Sequence, residues 1–203
     1  MEELSIVLIK VKYLKEFEKE LYREVNKLRK NPARYAEKIV KNKQFFKDGS
    51  NIWKHPDAKA GIKTEEGPAA YDEAIRFLKN NAQAVGELTP SKGLNKIASD
   101  FLYEFQKDPN ANVEIEPIVE KRGNFTGNFR RLVQFGSDTA ELVVVNLVVC
   151  DGDKTRGHRD ALLSDNLHQV GVAHGNHDTY RQCSVIVACT KFENTVDGDD
   201  SVY

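Results

Sequence analysis

Residues 151–159 read Asp151-Gly152-Asp153-Lys154-Thr155-Arg156-Gly157-His158-Arg159, and the chain continues further on with Val170-Gly171-Val172-Ala173. The nonapeptide places one imidazole, His158, among charged residues and glycines. Just before it lies the apolar run Leu142-Val-Val-Val-Asn-Leu-Val-Val149, closed by Cys150. Propensity alone predicts a buried strand for this run, because β-branched side chains lose χ1 freedom in a helix. Ser137-Asp138-Thr139 argues the other way, since it offers a helix cap ahead of Ala140-Glu141. On the far side, Gln169 to Ala173 and Gln182 to Phe192 are apolar and β-branched. Gly175-Asn176-His177-Asp178 separates them, which predicts two strands joined by a turn.

Toward the N-terminus the pattern is helical. Leu14, Phe17, Leu21, Val25 and Leu28 recur at steps of three and four. Asn31-Pro32 breaks that helix, and Asn31 can cap the next, with Pro32 in its first turn. The second helix carries Ala36, Ile39 and Val40 on one face. Residues 42–63 read as a loop holding the single Trp, Trp53. A third helix is predicted after Thr64, with Glu65 and Glu66 in its first turn and Ala70, Tyr71, Ala74, Ile75 and Leu78 facing inward. Pro90-Ser91 opens a fourth, striped with Leu94, Ile97, Ala98, Phe101 and Phe105. Residues 108–136 read as short extended pieces.

The whole chain has 203 residues, 40% hydrophobic and 30% charged, with a mean hydropathy of -0.55. That is globular composition. It excludes collagen-like, disordered and bilayer-spanning classes. A net charge of -1 supplies no global field toward nucleic acid or anionic lipid. No nucleic-acid partner and no membrane span are therefore expected. The run from Leu4 to Ile9 is too short for a signal peptide's apolar segment and follows acids rather than bases. This reads as an unprocessed intracellular protein. Three cysteines give no disulfide framework, while leaving a bridge from Cys150 to Cys183 or Cys189 open. The expected organisation is an N-terminal extension (1–12), one domain (13–194) and an acidic tail (195–203).

Three stretches together resemble the CAP superfamily, the SCP domain of cysteine-rich secretory proteins, antigen 5 and plant PR-1 proteins. They are Glu24-Val-Asn-Lys-Leu-Arg-Lys-Asn31-Pro32-Ala-Arg-Tyr35; Thr64 to Ile75 with Leu88 to Asp100; and the nonapeptide with Val170 to Ala173. The third is similar to the disulfide-poor branch of that family. The resemblance implies an α+β fold, a three-layer α-β-α sandwich around a small, mostly antiparallel sheet. It also implies a helix over 139–150, against local propensity.

In that family a cleft with two His and two acids often holds a divalent metal, as imidazole and carboxylate donors suit. Position by position, one His is present as His158 and the other is replaced by Phe101. One acid falls on Arg131. The second falls on Leu142, with Glu141 one position away. The expected cleft is therefore vestigial, made of Phe101, Arg131, Glu141 and His158. A ring and a guanidinium supply no donor atoms to a cation, so no metal, cofactor or catalytic residue is expected. Phe101 reads first as a core residue on the apolar stripe, and His158 as a loop-to-helix residue bonded to backbone.

Other constellations are weaker. His174 and His177 are spaced H-x-x-H, with His168 nearby, and read as exposed turn residues. Gly123-Asn-Phe-Thr-Gly127 lacks the Lys-Ser/Thr of a phosphate loop. Lys121-Arg122 and Arg130-Arg131, interleaved with Phe125 and Phe129, form a modest basic patch that reads first as a solvated loop and otherwise could grip an acidic protein surface or nucleic acid. Phe45, Phe46, Ile52 and Trp53 could line a ligand or partner surface. The leading expectation is a non-enzymatic, cytoplasmic component of a protein assembly, such as a cytoskeletal or ciliary microtubule lattice. The alternative is a binder of sterol or another lipid such as a fatty acid. A residual hydrolase ranks last, because acid–base work needs two poised groups.

Overall fold

The computed structural model describes residues 12–56 and 61–194. Apart from Lys12, the expected N-terminal extension lies outside the described residues, as does the whole acidic tail. In chain order the elements are α1 (Glu16–Lys30), α2 (Pro32–Lys43), β1 (Ile52–Trp53), β2 (Ile62–Lys63), α3 (Pro68–Asn80), β3 (Thr89–Pro90) and α4 (Lys92–Lys107). There follow α5 (Glu116–Glu120), β4 (Gly123–Phe135), α6 (Ala140–Val149), α7 (Gly157–Leu162), β5 (Gln169–His177) and β6 (Arg181–Asn194). The fold is α+β, as expected. Its four-stranded sheet runs in the order β3-β5-β6-β4, with only the short β3–β5 pair parallel.

The described residues group into two compact units. One takes those within Met1–Arg23, Glu87–Val143 and Asp165–Tyr203, and the other those within Glu24–Gly86 and Val144–Ser164. The first unit is helix on sheet. Ser91 caps α4 by accepting the Leu94 N–H, and the apolar stripe of α4 then lies along β5 and β6. Leu94, Ile97, Ala98, Phe101 and Phe105 meet Ala173, Val185, Val187 and Phe192 in one buried cluster. Phe101 is fully buried there, in the core role its stripe predicted. Alternation along β6 sends Cys183, Val185, Val187 and Cys189 into this cluster.

The second unit is built on helices. Asn31 Oδ1 accepts the Arg34 N–H at the start of α2, as predicted, and α2 packs along α3. Arg29 is fully buried. It is held by the carbonyls of Gly86, Leu162 and Ser164 at 2.8–2.9 Å, which compensates a charge that burial would otherwise penalise.

Several readings are corrected. α3 begins at Pro68, not after Thr64. Gly67 has φ 65° and ψ -144°, which breaks any helical path through Glu65 and Glu66. Residues 42–63 contain a β1–β2 hairpin. Residues 108–136 hold α5 and a thirteen-residue strand rather than short pieces. One reading in this stretch holds instead: the helix implied over 139–150 is present as Ala140–Val149, against propensity, and Thr139 Oγ1 accepts the Leu142 N–H at its start. Val143, Val144, Val145, Val148 and Val149 are all buried, so packing outweighs a propensity cost of a few tenths of a kcal/mol per residue. The three cysteines are buried and free, so no bridge joins Cys150 to Cys183 or Cys189.

α4 approaches the sheet backbone closely at Gly171. A Cβ there would lie 2.1 Å from the Leu94 carbonyl carbon and 2.3 Å from the Asn95 nitrogen. Backbone cannot yield as a side chain does. Gly171→Ala should cost about 3 kcal/mol or fail to fold, read by chemical denaturation, whereas Gly86→Ala, with open space around it, should be nearly neutral.

Candidate functional site

The nonapeptide proves to be a cross-linking loop. Cys150, Gly152 and Arg156 all have positive φ, at 51°, 81° and 55°, so the chain turns sharply between α6 and α7. The strain at the two non-glycine positions is held by the contacts that follow. Asp151 accepts the backbone N–H groups of Glu65 and Glu66 at 2.7 and 2.9 Å. Glu66 returns the contact, accepting the Gly152 N–H at 2.9 Å and a two-pronged bond from Arg156 at 2.7 and 2.8 Å. Arg156 also donates to the Cys150 carbonyl at 2.7 Å. Asp153 ties the loop to itself through Thr155 and the Gly157 N–H.

Arg159 completes the clasp. Its side chain is 1% exposed. It donates to the Val148 carbonyl at 2.7 Å and, two-pronged, to Glu73 at 2.7 and 2.6 Å, and it lies over the Phe77 ring at 5.0 Å. Planar guanidinium on carboxylate is the strong form of an ion pair. The Arg159 and Arg156 bonds accordingly hold Glu73 and Glu66 below the usual glutamate range. The most distinctive residues of the sequence thus spend their charge on one another, 85–90 positions apart in the chain.

His158 is the exception. It is half-buried in the first turn of α7, and burial lowers its pKa while the Asp153 charge opposes that. The backbone N–H groups of His158 and Arg159 face the Cys150 sulfur, where burial still prevails and keeps the thiol protonated.

Of the expected cleft positions, Phe101, Arg131 and Glu141 fall in the first unit and His158 in the second. The structure brings Phe101 and Arg131 together. The Arg131 guanidinium sits 4.7 Å over the Phe101 ring and 5.2 Å over Phe105, and donates to the Val113 carbonyl at 2.7 Å. That is a cation held between rings and a carbonyl, and it pins β4 to α4. Glu141 is half-buried in the first turn of α6, where a carboxylate favours the helix. Among the described residues, no group of three or more His, Cys, Asp or Glu side chains is placed to hold a metal ion.

The basic patch is largely committed within the chain. Arg122 makes a two-pronged bond to Asp100 at 2.9 Å. Arg130 is exposed and donates to the Phe129 carbonyl, beside a Phe125–Phe129 ring pair 5.0 Å apart. In the 45–53 segment, Trp53 is buried and donates to the Asn42 carbonyl at 2.8 Å. Phe45 packs edge-on to Trp53, and Phe46 to Tyr71. Ile52 alone of the four is exposed.

His174 and His177 are not exposed turn residues; both lie in β5, and the turn falls at 178–180. The buried His177 accepts the Thr179 and Tyr180 N–H groups at Nδ1, 3.1 Å each, and so closes that turn. His174 Nδ1 lies 2.9 Å from Ser184 Oγ, a hydroxyl–imidazole pair that sequence reading missed. Counting outward from the hairpin turn would have found it, since the two residues are register partners. It is not built for attack on a substrate. Phe17 stacks flat on the imidazole at 3.5 Å, and Ser184 is 2% exposed.

The clasp carries a pH dependence. A carboxylate held below its unfolded value stabilises fully above that value, about 4.3 for Glu, and loses the contribution as pH falls through the lowered folded value. Stability should therefore decline in acid, and Glu73→Gln should flatten that decline. At neutral pH Glu73→Gln should cost about 2 kcal/mol, because it leaves Arg159 buried with weakened compensation. Unfolding midpoints across pH 2.5–7, a range set by that glutamate value of about 4.3, read both effects.

No protein-family model matches the sequence, and no curated protein does. Solved structures similar to part of it include two of bacterial origin. A cysteine-rich secretory protein from Staphylococcus aureus aligns at 17% identity and a TM-score of 0.41, over 61% of this chain and 38% of that one. An outer surface protein from Borrelia burgdorferi aligns at 13% identity and a TM-score of 0.44, over 63% of this chain and 90% of that one.

Proposed function

We propose that this chain is a CAP-like domain that works without catalysis, as a structural or interaction component of a larger protein assembly. The resemblance of its three sequence stretches to the CAP superfamily supplies the family. The observation that carries the reading is Arg131. At a position where the resemblance expects an acidic ligand, a guanidinium lies against Phe101, itself at a position where a His is expected. Of the four donors, one is replaced by a ring, one by a permanent cation and one by Leu142, and a lone imidazole does not hold zinc with useful affinity.

The clasp supports the same reading. Asp151, Asp153, Arg156 and Arg159 are engaged with Glu65, Glu66, Glu73 and their own loop, so their charges serve architecture. No described helix is long and apolar enough to cross a membrane. Our reading places the chain in the cytoplasm, on a cytoskeletal or ciliary lattice where it is held by partners.

Two measurements test the proposal. Dialysis of the purified chain against micromolar zinc should leave no stoichiometric metal, and one retained ion per chain would contradict the lost cleft. Fractionation of the source cells should place the chain with the detergent-resistant cytoskeletal pellet. Recovery only from medium or vesicle lumen would overturn the assembly reading.

A further inference from the structure

Charge is unevenly spread along this chain. Residues 40–63 contain six lysines and two aspartates, in a chain whose net charge is -1. The β1–β2 hairpin organises several of those lysines. β1 pairs antiparallel with β2, Ile52 opposite Lys63 and Trp53 opposite Ile62. On its other side β1 is bridged by Phe46 opposite Trp53, with Lys47 N–H on the Ile52 carbonyl and Lys54 N–H on the Phe45 carbonyl, both 2.9 Å. Opposed residues share a face of the pleat. Phe46 and Trp53 therefore share one face, which turns toward Tyr71 and Asn42. The opposite face carries a cross-strand row, Lys47–Ile52–Lys63, with Lys54 beside it.

Lys47, Ile52, Lys54 and Lys63 are all exposed, Ile52 at 40%, while Phe45, opposite Lys54, is half-buried with its ring against Trp53. Gly61 makes room for Ile52; a Cβ there would lie 2.5 Å from the isoleucine's Cγ2. Lys47, Lys54 and Lys63 have no ion-pair partner among the described residues, in contrast to Lys43, paired with Asp72 at 2.6 Å. With strands about 4.8 Å apart, the two flanking ammonium groups bracket the aliphatic side chain at a spacing of about 10 Å.

We infer that this face docks an acidic segment of a partner protein, carboxylates on Lys47, Lys54 and Lys63 and an apolar side chain against Ile52. A protein partner fits better than a lipid surface. The aromatic residues that anchor interfacial segments are turned inward here, and one or two isoleucines bury too few methylene groups to hold a bilayer at about 0.8 kcal/mol each. The inference rests on the reading of the chain as an assembly component. It can fail alone, since fractionation with the cytoskeleton would stand if another surface made the contact.

The test uses the full chain and defined probes: a random Glu–Tyr copolymer, poly-glutamate, and vesicles with and without phosphatidylserine. The copolymer should bind in a salt-sensitive manner and more tightly than poly-glutamate. The Lys47→Glu, Lys63→Glu double variant should weaken both polypeptides at least tenfold. Ile52→Ser should abolish the copolymer's advantage and leave poly-glutamate unchanged. An equal charge change at exposed Lys96 and Lys121 should do far less, and an unshifted unfolding midpoint certifies each fold. No copolymer binding, equal loss from the Lys96/Lys121 reversal, or tighter binding to phosphatidylserine vesicles than to copolymer would overturn the inference.

Discussion

A guanidinium cannot be buried without compensation, and Arg159 is almost entirely buried. Its two-pronged bond to Glu73 and its bond to the Val148 carbonyl make the burial tolerable. The 150–159 loop satisfies that charge and its neighbour Arg156, and ties itself down with Asp151 and Asp153. The backbone adopts left-handed conformations at Cys150 and Arg156. Asp151 grips the two N–H groups ahead of α3. Gly152 lies against the Glu65 carboxylate, with room for no side chain larger than its own hydrogen without a tight contact.

The first unit shows the same economy with a different cation. Arg131 gives up solvent to lie between the Phe101 and Phe105 rings and the Val113 carbonyl. Burial works against its charge, so the rings and carbonyl must supply what water would. A metal-ligating cleft needs free lone pairs aimed at a shared point. Here Phe101 and Arg131 are turned to packing against each other.

Much of this was legible in the sequence, and the gaps have physical causes. The helical stripes of α1 and α4 were readable because the period was clear and Ser91 caps α4; on α2 the Asn31 cap and the buried Ala36 and Ile39 were readable, while Val40, placed on the same face, is exposed. The helix at 142–149 was readable only against propensity, from the Thr139 cap and the resemblance, since β-branched content cannot distinguish a buried helix from a strand. The start of α3 was misplaced because Glu65 and Glu66 look like first-turn acids, while Gly67 diverts the chain. Gly175-Asn176-His177 looked like a turn, yet β5 runs through it and His177 folds back to close the turn after it. The charged partners of Arg156 and Arg159 were not readable at all. Glu66 and Glu73 lie some 90 positions away, and nothing local marks a long-range ion pair. At the cleft positions the loss of donors could be counted, but not the stacking of Arg131 on Phe101.

The account stands on the claim that the 150–159 loop is architecture. A double-mutant cycle of Arg159→Met and Glu73→Leu, followed by chemical unfolding at neutral pH, tests it most directly. The account predicts that each single change is destabilising and that the pair together costs less than their sum, a coupling of about 1–3 kcal/mol. Additive or negligible effects, with the fold intact in all three variants, would show that the buried arginine is not held by its carboxylate and would remove the structural reading of the loop.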